Sequence, residues 1–101
     1  MYIVFQHAHL PLREVYMAED SQVVASFQKN SQEEFRFTIT SFRGNEYADI
    51  RIYYENDGDF LPSRKGITVS PEAWKSFRSC LDELESELKE RNLLQDEEGE
   101  G

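Results

Sequence analysis

The chain has little cysteine and no long apolar run. Cys80 is the only cysteine in 101 residues, which excludes a disulfide within the chain and favours a reducing compartment. The longest apolar run follows Met1 and covers residues 2–5. It is too short to cross a membrane, and no basic region precedes it as in a secretory signal. A soluble, intracellular domain is therefore expected.

Signatures of catalysis are also scarce. The chain has neither a glycine-rich phosphate loop nor a cluster of cysteine and histidine. Cys80 falls in a predicted helix, where a small buried side chain is the simplest interpretation. His7 and His9 could ligate a metal, but their spacing is unspecific and the sequence offers no third ligand. We therefore predict a protein that is not an enzyme and needs no metal or other cofactor.

Positive charge is limited and unevenly distributed. The chain has 11 Lys and Arg against 20 Asp and Glu, a net charge of -9, which argues against nucleic acid because phosphate binding needs concentrated cations. However, the net charge is -3 over residues 1–34, +1 over 35–78 and -7 over 79–101. The middle segment can therefore present one basic face if its carboxylates lie elsewhere.

Alternating residues in this middle segment predict antiparallel strands. Phe35, Phe37 and Ile39 fall on one face, expected to point to the core, and Arg36 and Thr38 fall on the other. Three more strands are predicted from β-branched and aromatic residues, at 22–27, 47–54 and about 60–69. The chain order of these segments predicts a four-stranded meander.

Turn residues separate the predicted strands. Gly44 and Asn45 suit a hairpin turn because both tolerate positive φ, and residues 55–59 form a second turn signal of Asn, Asp and Gly. Pro62 lies within the last strand and has no amide proton to donate. That strand is therefore expected at a sheet edge or at a bulge.

The helix signal comes directly after the last strand. Ser70 is a good N-cap and Pro71 fits the first helical position. An apolar stripe follows at spacings of three and four: Trp74, Phe77, Leu81, Leu84 and Leu88. The stripe must be buried, either on the concave face of the sheet or against a second copy of the chain.

The two ends of the chain show no such pattern. Residues 1–20 have no sustained period, so they are expected to form an arm of uncertain structure or to reflect a true start at Met17. Residues 92–101 are acidic and are expected to be a disordered tail. The folded domain is therefore predicted at residues 21–91.

Aromatic residues beside cations are the best candidates for a binding surface. Alternation places Phe42 on the outer face, next to Arg43 at the hairpin, where it can either stack on an unpaired base or cap the core. Arg51 and Tyr54 have opposite parity, so one ligand reaches both only if a bulge or twist intervenes. Arg64 and Lys65 are either ordinary solvated side chains or the rim of a phosphate channel.

Several linked motifs resemble one known family. "FRGNEYADIRIYY" (42–54), then an acidic turn, then "LPSRKGITVSPEAW" (61–74) are similar to the DNA-binding domain of the transcriptional coactivator positive cofactor four. That family shares an F-K/R-G hairpin, a D-I-R strand and an R-K-G-I passage leading to P-E-x-W. The resemblance implies an α+β fold, a curved four-stranded antiparallel sheet followed by one helix, assembled as a homodimer that binds single-stranded DNA.

The resemblance also implies roles for individual residues. Phe42 and Tyr54 would be stacking platforms, and Trp74 would anchor the helix. The cations that would contact phosphate or hold the channel are Arg43, Arg51, Arg64 and Lys65. Gly66 is expected to let the backbone bend where the basic pair is aimed.

Some positions depart from the family pattern. Glu33, Phe35, Asn45 and Leu61 stand where relatives carry cations, so weaker and more salt-sensitive binding is expected, without a change of mode. The family's basic and serine-rich extension is missing. A compact bacterial member in the cytoplasm or nucleoid is therefore expected, with the nucleus as the alternative in a eukaryote.

The leading hypothesis is a sequence-tolerant binder of single-stranded DNA that acts in transcription, replication or repair. Its expected partners are single-stranded DNA, a second copy of the chain and the transcription machinery. The alternative is a protein-interaction module that uses its acidic helix face and tail. Single-stranded RNA is a variant of the first hypothesis, because stacking platforms accept either sugar.

Overall fold

The structure, a computed structural model, describes residues 20–94. Four strands, β1 (Asp20–Gln28), β2 (Glu33–Phe42), β3 (Asn45–Asn56) and β4 (Asp59–Val69), precede a 3-10 turn (Pro71–Ala73) and one helix, α1 (Trp74–Glu90). The strands form one antiparallel sheet in the order β1-β2-β3-β4. This confirms the predicted α+β meander. The expected N-terminal arm up to residue 19 and the acidic tail from residue 95 lie outside the described residues.

Two-residue turns join the three longest strands. Arg43 (φ 55°) and Gly44 (φ 81°) connect β2 to β3, and Asp57 (φ 54°) and Gly58 (φ 89°) connect β3 to β4. Positive φ at both central residues is the geometry that matches the right-handed twist of the flanking strands. The expectation that Asn45 would take positive φ is wrong, because Asn45 is the first residue of β3 and its neighbour Arg43 takes that conformation instead.

Pro62 satisfies both conditions that its missing amide proton imposes. It lies on β4, an edge strand, and pairs with Tyr53 beside a register shift. Arg51 pairs with Gly66 on the other side of this shift. One residue of β3 therefore lies opposite a longer stretch of β4, residues 63–65, which bulges out of the ladder. We call residues 63–65 the β4 bulge.

The two faces of the sheet differ in composition. One face, called the apolar face, carries Phe27, Phe35, Phe37, Ile39, Ala48, Ile50, Ile52, Ile67 and Val69, as the cross-strand pairs show. The other, called the polar face, carries Arg36, Thr38, Thr40, Asp49, Arg51 and Thr68. The prediction that Phe35, Phe37 and Ile39 share a face is therefore confirmed.

Burial does not follow this division. Ile52 and Val69 of the apolar face are buried, but Ile39 is 45% exposed and Phe27 is 55% exposed. The threonines and Asp49 of the polar face are buried instead. The expectation that Ile39 points into a closed core is therefore wrong for the single chain.

The helix meets the sheet only near its start. Ser70 is extended and its side chain makes no capping bond; its carbonyl accepts from the Ala73 amide at 3.1 Å within the 3-10 turn. Trp74 then borders a hollow with apolar-face residues Ile39, Ala48 and Val69. The helical segment thus begins at Pro71, with Ser70 at the N-cap position as predicted, but its first turn is a 3-10 turn and α1 itself begins at Trp74.

The apolar stripe of α1 is largely uncovered in the single chain. Phe77 is buried against Trp74, with ring centroids 5.6 Å apart, but Leu81 and Leu84 are 42% and 55% exposed. Cys80 is exposed as well, which corrects the expectation of a buried thiol. The stripe was expected to pack either on the sheet of its own chain or on a second copy of the chain. The exposure of Leu81 and Leu84 shows that the sheet of the same chain does not bury this part of the helix.

Candidate nucleic-acid interface

The β4 bulge displays the basic pair that the sequence singled out. Arg64 and Lys65 are exposed, and together they border a shallow hollow of about 440 Å³ on the apolar face. Its other lining residues are Phe35, Ile50, Ile52, Gly66 and Ile67. The basic pair is therefore placed at the rim of an apolar depression and not on a flat solvated strand.

A buried ionic network on the polar face of the sheet supports the β4 bulge. The Arg51 side chain donates from Nε and Nη2 to the two carboxylate oxygens of Asp49, at 3.1 and 2.9 Å, and Thr68 Oγ1 donates to the same carboxylate at 3.0 Å. Arg51 is only 4% exposed and Asp49 only 1%. A bidentate guanidinium–carboxylate pair of this kind fixes the position of both groups.

The same arginine reaches the bulge directly. Arg51 Nη1 donates to the Ser63 carbonyl at 3.0 Å. The Ser63 hydroxyl donates to the Ile52 carbonyl at 2.7 Å and accepts from the Lys65 amide at 3.0 Å. These bonds replace the ladder bonds that the bulge interrupts, so the backbone that carries Arg64 and Lys65 is held on both sides.

Gly66 makes room for this arginine. A Cβ atom at Gly66 would lie 2.7 Å from the Ile50 carbonyl oxygen and 2.8 Å from Cβ and Cγ of Arg51. Its φ is not in the left-handed region. The close approach of the Arg51 stem to the β4 backbone is therefore a reason for this glycine that the sequence did not reveal.

Replacing Gly66 with alanine is expected to destabilise the fold by about 1–3 kcal/mol, because the new methyl group collides with backbone and with a side chain that is fixed at its far end. Chemical denaturation measures this loss. Lys65→Ala, at the neighbouring exposed position, is the matched control and should unfold at nearly the wild-type denaturant concentration. A Gly66→Ala variant as stable as this control would contradict the proposed crowding.

These contacts bear on the role of Arg51. The resemblance allowed it either to contact phosphate or to hold the channel, and the sequence could not separate the two. Its burial and its three hydrogen bonds, two to Asp49 and one to Ser63, favour the second role. Arg51 and Tyr54 also remain on opposite faces, because the register shift lengthens β4 and leaves the alternation of β3 unchanged.

Tyr54 lies on the apolar face, the face on which Arg64 and Lys65 border the hollow. It is 39% exposed and pairs across the sheet with Glu33 and with Leu61. Lys65 approaches this position, because its Nζ lies 3.9 Å from Oε2 of Glu33. An aromatic ring and a cation are thereby brought to one edge of the apolar face.

Phe42 lies at the opposite end of the sheet. It is half-buried, with the Arg43 guanidinium 4.9 Å from its ring centroid. Phe42 pairs with Asn45 and Tyr54 pairs with Glu33, so the two rings are separated by roughly 30 Å along β3 and belong to opposite faces. One chain does not bring the two predicted stacking platforms together.

Arg36 and Glu33 have partners that the sequence did not reveal. Arg36 lies 4.5 Å from the ring centroid of Tyr53 and forms an ion pair with Glu34 at 2.9 Å. The Glu33 carboxylate accepts from Asn30 Nδ2 at 2.9 Å and from Lys29 Nζ at 3.1 Å. These hydrogen bonds, led by that of Asn30, lower the pKa of the Glu33 carboxyl.

Comparison with known proteins places this arrangement in a family. The model of the family "Transcriptional Coactivator p15 (PC4)" matches residues 29–80, from the β1–β2 turn through the β4 bulge to the first turns of α1. The chain belongs to the PC4 family. The resemblance inferred from the linked motifs is thereby confirmed.

Two plant coactivators are similar in sequence to this PC4-family chain, over different fractions of their own lengths. The RNA polymerase II transcriptional coactivator KIWI of Arabidopsis thaliana is 32% identical over 88 residues, which cover 81% of this chain and 78% of that protein. The coactivator KELP of the same plant is 39% identical over 54 residues, 54% of this chain and 33% of that protein. The chain thus spans most of KIWI but only a third of KELP.

A solved bacterial structure shares the PC4 fold. The crystal structure of a PC4 homologue from Burkholderia pseudomallei matches in two crystal forms, with TM-scores of 0.57 and 0.58 and 31% and 32% identity. The match covers 62% of this chain and 86% of that one in the first form, and 61% and 93% in the second. The chain is therefore similar to a bacterial PC4 homologue in fold and to plant coactivators in sequence.

The described part of the chain offers neither a metal site nor a membrane-spanning helix. Residues 20–94 contain no group of three side chains suited to hold a metal ion. The pair His7 and His9, the one candidate from the sequence, lies outside that range. Over the same residues, no helix has the length and apolarity that a bilayer crossing requires.

Proposed function

We propose that this PC4-family chain binds single-stranded DNA with little sequence preference along most of the strand, in transcription regulation or in DNA replication and repair. The observation that carries the proposal is the position of Tyr54, an exposed ring on the same sheet face as the cations of the β4 bulge. An unpaired base stacks on such a ring, and the adjoining cations neutralise its phosphates.

The structure of the bulge supports this role. Arg64 and Lys65 are exposed, but the backbone beneath them is fixed by Ser63 and Arg51. Cations on a fixed backbone lose less conformational freedom on binding than cations on a mobile loop. Arg51 contributes to binding by holding the bulge, while Arg43 supplies a cation at the distant Phe42 hairpin. The mechanism needs no cofactor.

The proposal includes a homodimer. Leu81 and Leu84 of the helix stripe and Ile39, at the end of the apolar face that lies away from Tyr54, are exposed in the single chain, and exposed apolar patches mark interfaces. A second copy packed on this surface buries the helix stripe. In such an assembly the bound DNA strand runs from one protomer to the next. Phe42 and Tyr54 can then both contact the DNA, although the two rings lie far apart within one chain.

The cellular setting follows from the ligand. A protein of this kind works where single strands are exposed, which is the cytoplasm and nucleoid in a bacterium and the nucleus in a eukaryote. In either setting the transcription machinery is the expected protein partner. Discrimination between DNA and RNA depends on the 2′-hydroxyl, so both strands belong in the binding test.

Fluorescence anisotropy of a labelled mixed-sequence DNA strand tests the proposal, with the matching duplex and an RNA strand as competitors at low and near-physiological salt. The wild type is expected to bind the single strand, to resist duplex competition and to weaken as salt rises. Tyr54→Ala is expected to lose about tenfold in affinity through lost stacking, and Phe42→Ala and Lys65→Ala should also weaken binding.

The control is Lys89→Ala, which removes the same charge from the end of α1 and should bind as the wild type does. If Tyr54→Ala and Lys65→Ala both bind with unchanged affinity, the proposed face is wrong. If no single strand binds at low salt, the proposed function is wrong.

A further inference from the structure

Glu33 is the residue of β2 that lies closest to the Tyr54 ring by register. The two are direct cross-strand partners on the same face, and side chains in that relation have Cβ atoms about 4.5–5.5 Å apart. Any flat group that stacks on Tyr54 therefore presents part of its edge to the Glu33 carboxylate.

The turn between β1 and β2 holds this carboxylate in a fixed position. Oε1 of Glu33 accepts from Asn30 and Lys29, while Oδ1 of Asn30 accepts from the amides of Gln32 and Glu33 at 2.9 and 2.8 Å. The Glu55 amide donates to the Gln32 carbonyl at 2.9 Å. The turn is thereby tied to the residue that follows Tyr54, so the carboxylate is held in place relative to the backbone that carries the ring.

One oxygen of this carboxylate keeps acceptor capacity. Oε2 lies 3.9 Å from Lys65 Nζ, which is an electrostatic contact but too long for a hydrogen bond. Because the Asn30 and Lys29 contacts lower the pKa of the Glu33 carboxyl, the group is charged at neutral pH. Glu33 thus offers a fixed, ionised acceptor beside the ring.

The space beside Tyr54 is large enough for a ligand edge. Ring and carboxylate border a hollow of about 440 Å³ whose other walls are polar, lined by Asn30, Ser31, Gln32 and Glu55. Asn30, Ser31 and Gln32 offer hydroxyl and amide groups that donate or accept, and Glu55 adds a carboxylate whose Oε2 accepts from the Gly58 amide at 3.1 Å. The hollow is therefore suited to the hydrogen-bonding edge of a base and not to a second apolar ring.

We propose that this hollow reads the edge of the base stacked on Tyr54, and that Glu33 selects a base with an exocyclic amino group, cytosine among the pyrimidines, over thymine or uracil. The inference rests on the proposed single-strand binding and adds to it a base preference at one position. The rest of the strand is bound through phosphate and stacking, without sequence preference.

The chemistry of the two pyrimidine edges explains the choice. Cytosine donates from N4 to the Glu33 carboxylate, and its N3 accepts from a hydroxyl or amide such as those of Ser31 and Gln32. Uracil and thymine carry a carbonyl oxygen in place of the amino group. The lone pairs of that oxygen face a carboxylate, so the contact is repulsive and the base keeps only its stacking energy.

Oligo-deoxycytidine and oligo-deoxyuridine of equal length form the matched probe pair, because they differ at positions 3 and 4 of the ring and not in backbone or in a 5-methyl group. Anisotropy titrations at about pH 8 keep the cytosines unprotonated. The wild type is expected to bind the cytidine strand about fivefold more tightly.

Glu33→Gln is the decisive variant. Its amide oxygen can still accept from Asn30, which places the amide nitrogen, a donor, where Oε2 was. The preference for cytosine is therefore expected to disappear or to invert towards uracil. Glu34→Gln changes the charge equally at the neighbouring position on the opposite face, and it should retain the wild-type preference. Tyr54→Ala should lose both affinity and preference.

Equal wild-type affinity for the two pyrimidine strands overturns the inference and leaves the proposed function intact if mixed-sequence DNA is bound. If Glu33→Gln binds both strands more tightly by the same factor, the ratio of the two affinities is unchanged. This result also overturns the inference, because the carboxylate would then act only by repelling phosphate. Absence of binding to every strand overturns the inference and the proposed function together.

Discussion

Replacing Arg51 with alanine is expected to lower the free energy of unfolding by about 3–5 kcal/mol, a large part of the roughly 5–15 kcal/mol that a small domain possesses. The substitution leaves the Asp49 carboxylate buried with its guanidinium partner gone. It also removes the donor to the Ser63 carbonyl, so the β4 bulge loses its support. Loss of DNA binding should accompany this loss of stability.

Urea denaturation of Arg51→Ala, Asp49→Ala and the double variant measures the effect. Because the two residues act as one pair, the double variant should lose less than the sum of the single variants. Arg91→Ala is the control: it breaks an exposed ion pair with Glu87 of 2.8 Å and should cost no more than about 1 kcal/mol. An Arg51→Ala variant as stable as this control would show that the buried pair is not what holds the strands.

The second large effect is expected at the helix stripe. Leu84→Asp places a charge on a side chain that the proposed dimer buries and that the single chain exposes. In a two-fold dimer every substitution occurs twice. At about 1.5–3 kcal/mol for each buried leucine, the dimer is expected to weaken at least about a hundredfold, before any penalty for burying the charge.

Analytical ultracentrifugation over a range of concentrations measures the oligomeric state. The wild type should sediment as a dimer and Leu84→Asp as a monomer. Ser86→Asp adds the same charge on the opposite side of α1, since residue 86 lies about half a turn from the stripe, and it should remain dimeric. A monomeric wild type, or a dimer that tolerates Leu84→Asp, contradicts the proposed interface.

Local patterns in the sequence predict the type and the order of the strands and the helix. Alternation placed Phe35, Phe37 and Ile39 on one face, and Pro62 predicted an edge or bulge, because these features depend on residues close in the chain. The exact turn residues were less accessible. Arg43 takes positive φ although its side chain disfavours it, since the register of β2 against β3 decides which two residues form the turn.

Long-range relations account for most of what the sequence did not reveal. The burial of Arg51 depends on its cross-strand position opposite Gly66, and the proximity of Glu33 and Lys65 depends on the register of three strands and on the β4 bulge between them. Neither relation follows from spacing along the chain. The direction of α1 away from its own sheet was equally hidden, since an amphipathic stripe predicts burial but does not name the surface that buries it.

The conformation of Arg43 has a consequence for how this protein can change. A left-handed backbone costs roughly 1 kcal/mol or more for a residue that is neither Gly nor Asn, and Arg43 adopts it at φ 55° with its guanidinium above Phe42. Selection for heat resistance alone would replace Arg43 with Asn or Gly and strengthen the hairpin. The tip would then lose its cation, so thermal adaptation and ligand binding favour different residues at this one position.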